Sequence, residues 1–100
     1  MEPGKGLQSA AVRCLEVQAD GCLRLGSQLE NRGDPEQAAV QLQKALQYYD
    51  RLLQCTGDRT YGGLARECCT GLADCQMQLG NLHGADVYYV MALTYEEKKF

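Results

Sequence analysis

Shifting the sequence by 47 residues brings Cys22 onto Cys69, Leu25 onto Leu72, Gly33 onto Gly80 and Ala38 onto Ala85. The same shift brings Val40 onto Val87, Ala45 onto Ala92, Leu46 onto Leu93 and Tyr48 onto Tyr95. These are 8 identities in 27 positions without a gap, joined by the near matches Gly26 over Ala73, Asp34 over Asn81 and Asp20 over Glu67. Self-similarity at a fixed offset marks a supersecondary unit that is used more than once and stacked on itself.

The unit is helical. From Leu7 onward the chain is rich in Ala, Leu, Gln, Glu and Arg, which lose little freedom in a helix, and no stretch alternates with period two. Three breaks interrupt it: Gly33-Asp34-Pro35, Thr56-Gly57-Asp58, and Gly80-Asn81 with Gly84. They predict helices near 8–32, 35–55, 60–79 and 84–98. Apolar residues recur at three and four positions within each, as in Ala38, Leu42, Ala45, Leu46 and Tyr49 or Leu64, Cys68, Leu72, Cys75 and Leu79. Connections this short force neighbouring helices antiparallel. The expected architecture is all-α, one domain over 7–100 with hairpin one near 8–55 and hairpin two near 60–98, after a disordered start at 1–6 that holds Pro3, Gly4 and Gly6.

The matched residue types have a packing logic. Gly26 and Ala73 are small at mid-helix, and Ala38 and Ala85 are small in the first turn of the partner helix, so each pair lets two helices approach closely. Leu25, Leu42, Leu72 and Tyr89 are expected to fill the space around them, and Gly33 and Gly80 to supply the positive φ that ends the first helix of each hairpin.

This pattern resembles the tetratricopeptide repeat. The family's succession of small, large apolar, Gly, Ala, large apolar and Ala is met by Gly26, Leu29, Gly33, Ala38, Leu42 and Ala45. It is met again by Ala73, Gly80, Ala85, Tyr89 and Ala92, with Gln76 departing where the family prefers an aromatic residue. Cys22 and Cys69 stand where Trp is common, and Asp50 and Glu97 where Pro is common. The family's period is about 34 residues, and the extra length here lies around Thr56-Gly57-Asp58-Arg59. In that it is similar to the long-helix repeats of the Pins/LGN and rapsyn adaptors. The resemblance covers about residues 19–98 and implies a right-handed α-solenoid fragment of four helices that serves protein–protein interaction as an adaptor or scaffold.

The resemblance also implies a site. In such arrays the first helix of each hairpin lines a concave groove. That assigns to it Asp20, Leu23, Ser27, Glu30 and Asn31 from the first hairpin, and Glu67, Thr70, Asp74, Met77 and Gln78 from the second. Four of these ten are acidic and none is basic, so the implied partner is a protein or peptide segment that is basic or rich in donors. Leu23 and Ser27 stand where the family's carboxylate-gripping members use Lys and Asn, which argues against a clamp for acidic chaperone tails. The ordinary alternative for all ten is a solvated helix face.

Composition narrows the other classes. With 10 basic and 13 acidic residues the net charge is −3, and Lys98-Lys99 is the only adjacent basic pair, so no stripe for nucleic acid exists. No apolar run approaches the roughly 20 residues of a membrane span. The first residues lack the apolar core of a secretory leader, so the expected location is cytoplasmic. The six cysteines are then expected as reduced core thiols rather than disulfides, zinc ligands or redox centres. Cys68 and Cys75 share a helix face, but no C-x-x-C pair accompanies them. His83, the only histidine, is expected in the turn between the third and fourth helices with no cysteine placed to pair with it. Gly57-Asp58 and Gly62-Gly63 are too sparse for a phosphate loop. No enzyme activity, catalytic residue, cofactor or metal is expected.

The tyrosines of the second helices are expected to fill core with their hydroxyls at the surface, or to anchor an interface. Two hairpins leave an apolar face at the end of the stack, because Tyr88, Val90 and Tyr95 cannot all face inward. A longer array, self-association into a homo-oligomer, or a partner would each cover it.

Overall fold

The computed structural model describes the backbone of residues 3–97 and the side chains of residues 9–96. It contains four helices, α1 (Pro3–Asn31), α2 (Pro35–Thr56), α3 (Arg59–Gln78) and α4 (Leu82–Glu97), and no strand among the described residues. Residues 3–6 of the segment expected as a disordered start fall within α1, and Met1 and Glu2 lie outside the described residues. Packing is sequential: α1 lies on α2, α2 on α3 and α3 on α4, while α1 and α3 only graze one another. The result is a flat slab of 53 × 28 × 14 Å.

The repeat is visible in how the helices stop and start. Gly33 and Gly80 both adopt positive φ, 78° and 80°. At the first, the Asp34 amide donates to Leu29 O at 3.0 Å and the Gly33 amide to Glu30 O at 3.1 Å. At the second, Asn81 donates to Gln76 O at 2.8 Å and Gly80 to Met77 O at 3.1 Å. Both turns thus satisfy the orphaned carbonyls of the preceding helix with the same two bonds. The residue after each glycine then caps the next helix: Asp34 Oδ1 accepts from the Gln37 amide at 3.3 Å and Asn81 Oδ1 from the Gly84 amide at 3.0 Å. Because Asn81 caps there, α4 begins at Leu82 rather than at 84, and His83 lies in its first turn instead of in the connecting turn. Between the hairpins Gly57 closes α2 at φ 72°, and Asp58 caps α3 through the Thr60 amide at 2.9 Å.

The core is built from small residues and a few large ones. Ala19, Ala38, Ala45, Ala65, Ala73 and Ala85 are buried at the helix crossings, with Leu42, Leu52, Tyr49 and Leu72 between them. Leu42 is wedged between two glycines. A Cβ added at Gly26 on α1 would stand 2.8 Å from Leu42 Cγ and Cδ2, and one added at Gly71 on α3 would stand 2.9 Å from Leu42 Cδ1. Two of the four expected space-fillers stand elsewhere: Leu25 and Tyr89 are exposed, and Tyr89 turns its hydroxyl to Asp74 of α3 instead of filling the core.

All six cysteines are free thiols. Cys68, Cys69 and Cys75 are buried in the core and Cys22 half-buried, but Cys14 and Cys55 are exposed, which corrects the expectation of core positions for those two. Cys68 and Cys69 are both enclosed because α3 has a full neighbour on each side, so adjacent positions pointing different ways both meet packing.

Candidate functional site

A groove of about 700 Å³ runs across α1, α3 and α4. Leu42 of α2 forms its floor, with Ala92 and Leu93 of α4 extending the apolar surface. Leu23, Ser27 and Glu30 stand on the α1 side, Glu67, Thr70 and Asp74 along α3, and Tyr89 and Glu96 on α4. Glycines at 63 and 71 keep the α3 side open.

Six of the ten residues assigned to a groove from the sequence line this one: Leu23, Ser27, Glu30, Glu67, Thr70 and Asp74. Asp20 lies outside the lining, one turn before Leu23, and its Oδ1 accepts the Tyr49 hydroxyl from α2. Asn31, Met77 and Gln78 sit at the exposed ends of α1 and α3, also outside the lining. The ten residues also omitted a base. Arg66 stands in the groove, with Nη1 3.8 Å from Glu96 Oε1, so the lining holds four carboxylates and one guanidinium. Neither Arg66 nor Glu96 follows from a first-helix assignment, because Glu96 belongs to α4 and Arg66 comes one residue before the first position carried over on α3.

The carboxylates are not equivalent. Burial, with the charge of Asp74 across the groove, holds the Glu30 carboxyl above its ordinary range. A cation entering between them would relieve that repulsion. Asp74 itself accepts the Tyr89 hydroxyl at 3.1 Å, and the phenol is held above its usual range by that bond. Glu67 is exposed and free to turn toward a ligand.

The tyrosines form a set of ties that their spacing does not reveal. Tyr49 of α2 donates to Asp20 of α1, Tyr61 of α3 to Glu16 of α1, Tyr89 of α4 to Asp74 of α3 and Tyr95 of α4 to Asp50 of α2. Tyr49 is fully buried, so its hydroxyl ends on a carboxylate at the core's edge rather than at the surface. Among the described residues no group of three or more His, Cys, Asp or Glu could hold a metal ion. Nor, among them, is any helix long and apolar enough to cross a membrane. On the opposite side of the slab a second hollow of about 580 Å³ lies between α2 and α4, lined by Leu46, Asp50, Tyr88, Met91 and Tyr95 among others.

No family model, curated protein or solved structure matches the chain at a significant level. The class that the fold defines is therefore a four-helix all-α domain with sequentially packed helices.

Proposed function

We propose that the chain is a tetratricopeptide-like interaction module, two turns of a right-handed α-solenoid, that holds a basic segment of a partner protein in the groove across α1, α3 and α4. It acts as an adaptor and not as an enzyme, in the cytoplasm. The observation that carries this reading is the charge of the groove: Glu30, Glu67, Asp74 and Glu96 surround an apolar floor, against the single base Arg66. The paired caps at Gly33-Asp34 and Gly80-Asn81 support a repeated hairpin beneath it. A segment that alternates Lys or Arg with apolar side chains matches such a surface, its cations meeting the carboxylates and its apolar groups meeting Leu42 and Leu93. Buried thiols at Cys68, Cys69 and Cys75 suit a reducing compartment.

The test is selection of peptides from a random display library on the purified chain, followed by amide chemical-shift mapping. The expected outcome is enrichment of Lys and Arg, with shifts at Ser27, Thr70 and Gly71 and binding that weakens as salt rises. Peptides without basic enrichment, or shifts gathered at Tyr88 and Met91 on the other side, would overturn the reading.

A further inference from the structure

Glu30 and Asp74 belong to different helices but converge in one notch of the groove. Glu30 Oε1 of α1 lies against α3 at Gly71, 3.7 Å from the place a Gly71 Cβ would take. Leu42 Cδ1 lies 2.9 Å from the same place, so a carboxylate and a methyl group share the notch. Asp74 follows Gly71 by three residues, which sets it on the same side of α3 about one turn further on. From α4, the Tyr89 hydroxyl donates to Asp74 Oδ1 at 3.1 Å.

The notch is not neutralised from within. Arg66, the base of the groove, precedes Asp74 by eight residues, about 12 Å along α3, and its Nη1 stands 3.8 Å from Glu96. Among the described residues Glu30 takes part in no hydrogen bond or ion pair, and Asp74 Oδ2 has no donor. Two like charges in a half-buried notch disfavour each other, which together with burial accounts for the raised Glu30 carboxyl.

We propose that this notch makes the groove select arginine over lysine, with the guanidinium of the ligand bridging Glu30 and Asp74. The selection rests on the reading of the groove as a site for a basic segment, and adds the side chain that anchors it. The two acceptors stand on different helices, and a guanidinium carries five donors in a fixed fork that serves both at once. Its flat faces are weakly hydrated and suit the Leu42 side chain and the Tyr89 ring, both of which line the groove. An ammonium is a compact, strongly hydrated charge that would give up water against the same apolar wall. Further along the groove the setting differs. Glu67 is exposed and seven residues from Asp74, about 10 Å along α3. A cation there keeps most of its water, so lysine and arginine serve alike. The groove therefore has one pole that discriminates between the two cations and one that does not.

The experiment uses three fluorescent peptides of equal length, alternating Ala with Arg, with Lys or with Gln. Their affinities for the purified chain are measured by anisotropy at low salt, with circular dichroism to confirm folding of each variant. The Arg peptide should bind the wild type about tenfold more tightly than the Lys peptide, the equivalent of one charge-assisted hydrogen bond. Both should bind more tightly than the Gln peptide. Glu30→Gln keeps the shape of the notch and removes its charge, and should bring the Arg and Lys affinities together. Glu67→Gln should weaken both cationic peptides and leave their ratio unchanged. A Gln peptide that binds as well as the cationic ones would overturn the reading of the groove and this selection with it. Cationic peptides that bind more tightly than the Gln peptide but equally to one another would overturn the selection alone. So would a preference for Arg that survives Glu30→Gln or is lost in Glu67→Gln.

Discussion

The Tyr95 hydroxyl on α4 donates to Asp50 Oδ1 on α2 at 2.9 Å, joining two helices that are not adjacent in the packing order. Both residues are half-buried, and burial followed by the bond to Asp50 pushes the Tyr95 phenol up. Tyr95→Phe keeps the ring and removes the bond, leaving a half-buried carboxylate short of one donor. We expect a loss of about 1.5–3 kcal/mol, the range for a hydrogen bond to a charged group. Asp50 also accepts the Gln54 side chain at 2.8 Å on its other oxygen. Adding Asp50→Asn to Tyr95→Phe should therefore cost less than the sum of the two single changes. Thermal melts of the four proteins in that cycle provide the check.

The glycines divide into two groups with opposite expected effects. Leu42 is held between Gly26 and Gly71 and cannot move away from one without pressing on the other. Gly26→Ala and Gly71→Ala should each destabilise by about 1–3 kcal/mol through overpacking. Gly21 and Gly63 are exposed positions inside helices with nothing within 4 Å of an added Cβ. There Ala should stabilise by about 0.5–1 kcal/mol by reducing the freedom of the unfolded chain. Urea midpoints of the four single variants decide the matter, and the same sign in all four would refute the wedge.

Stability should decline on the alkaline side. Burial pushes the Cys68 thiol up to about 12, and those of Cys69 and Cys75 up to about 11. The bond to Glu16, with burial, pushes the Tyr61 phenol up to about 12. In the unfolded chain thiols ionise from about pH 8.5 and phenols from about 10. The folded state keeps these protons longer, so their contribution is complete below about pH 8.5 and is lost as pH rises toward 12. Cys68→Ala should lower the melting temperature at pH 7 but flatten its fall between pH 8.5 and 11. The same burial sets reactivity toward a thiol reagent. Exposed Cys14 and Cys55 should react at once, and Cys68, Cys69 and Cys75 only as the fold opens.

These three expectations rest on features that were unequally legible in the sequence. Helix ends were legible because they depend on local chemistry. A glycine at 33 or 80 and a capping Asp34 or Asn81 act on backbone groups a few residues away. The close approach at Gly26 was legible from its alignment with Ala73, but Gly71 was not, since its counterpart Arg24 gives no hint of a small residue. The burial of Leu25 is not legible from the repeat, because identity across a repeat fixes the side chain and not the neighbour. Leu72 is 1% exposed and Leu25 42%, although the two are the same residue at the same repeat position. The tyrosine–carboxylate ties span 29 and 45 positions in three of their four cases, and depend on helix rotations that periodicity does not specify. In the groove, the positions carried over by resemblance supplied the α1 and α3 parts of the lining, while Glu96 and Tyr89 came from a helix that the rule did not include.

The charge of the groove leads to the last expectation. Reversing an acidic residue there should weaken binding of a basic peptide, but the residue has to be chosen by its contacts. Asp74 accepts the Tyr89 hydroxyl, so Asp74→Lys would break a tie between α3 and α4 as well as change the field. Glu67 is exposed and lines the same groove, and Glu67→Lys tests the field alone. Substitutions at such sites usually shift stability by less than about 0.5 kcal/mol. Glu36→Lys, in the exposed first turn of α2 and outside the groove, makes the same change in net charge and serves as the control. With a peptide selected on the wild type, Glu67→Lys should lower affinity several-fold at low salt, mainly by slowing association, and Glu36→Lys much less. The difference should shrink near 1 M salt, where screening acts over about 3 Å. Equal losses in the two variants would assign the effect to net charge, and no loss in either would move the binding surface to the hollow between α2 and α4.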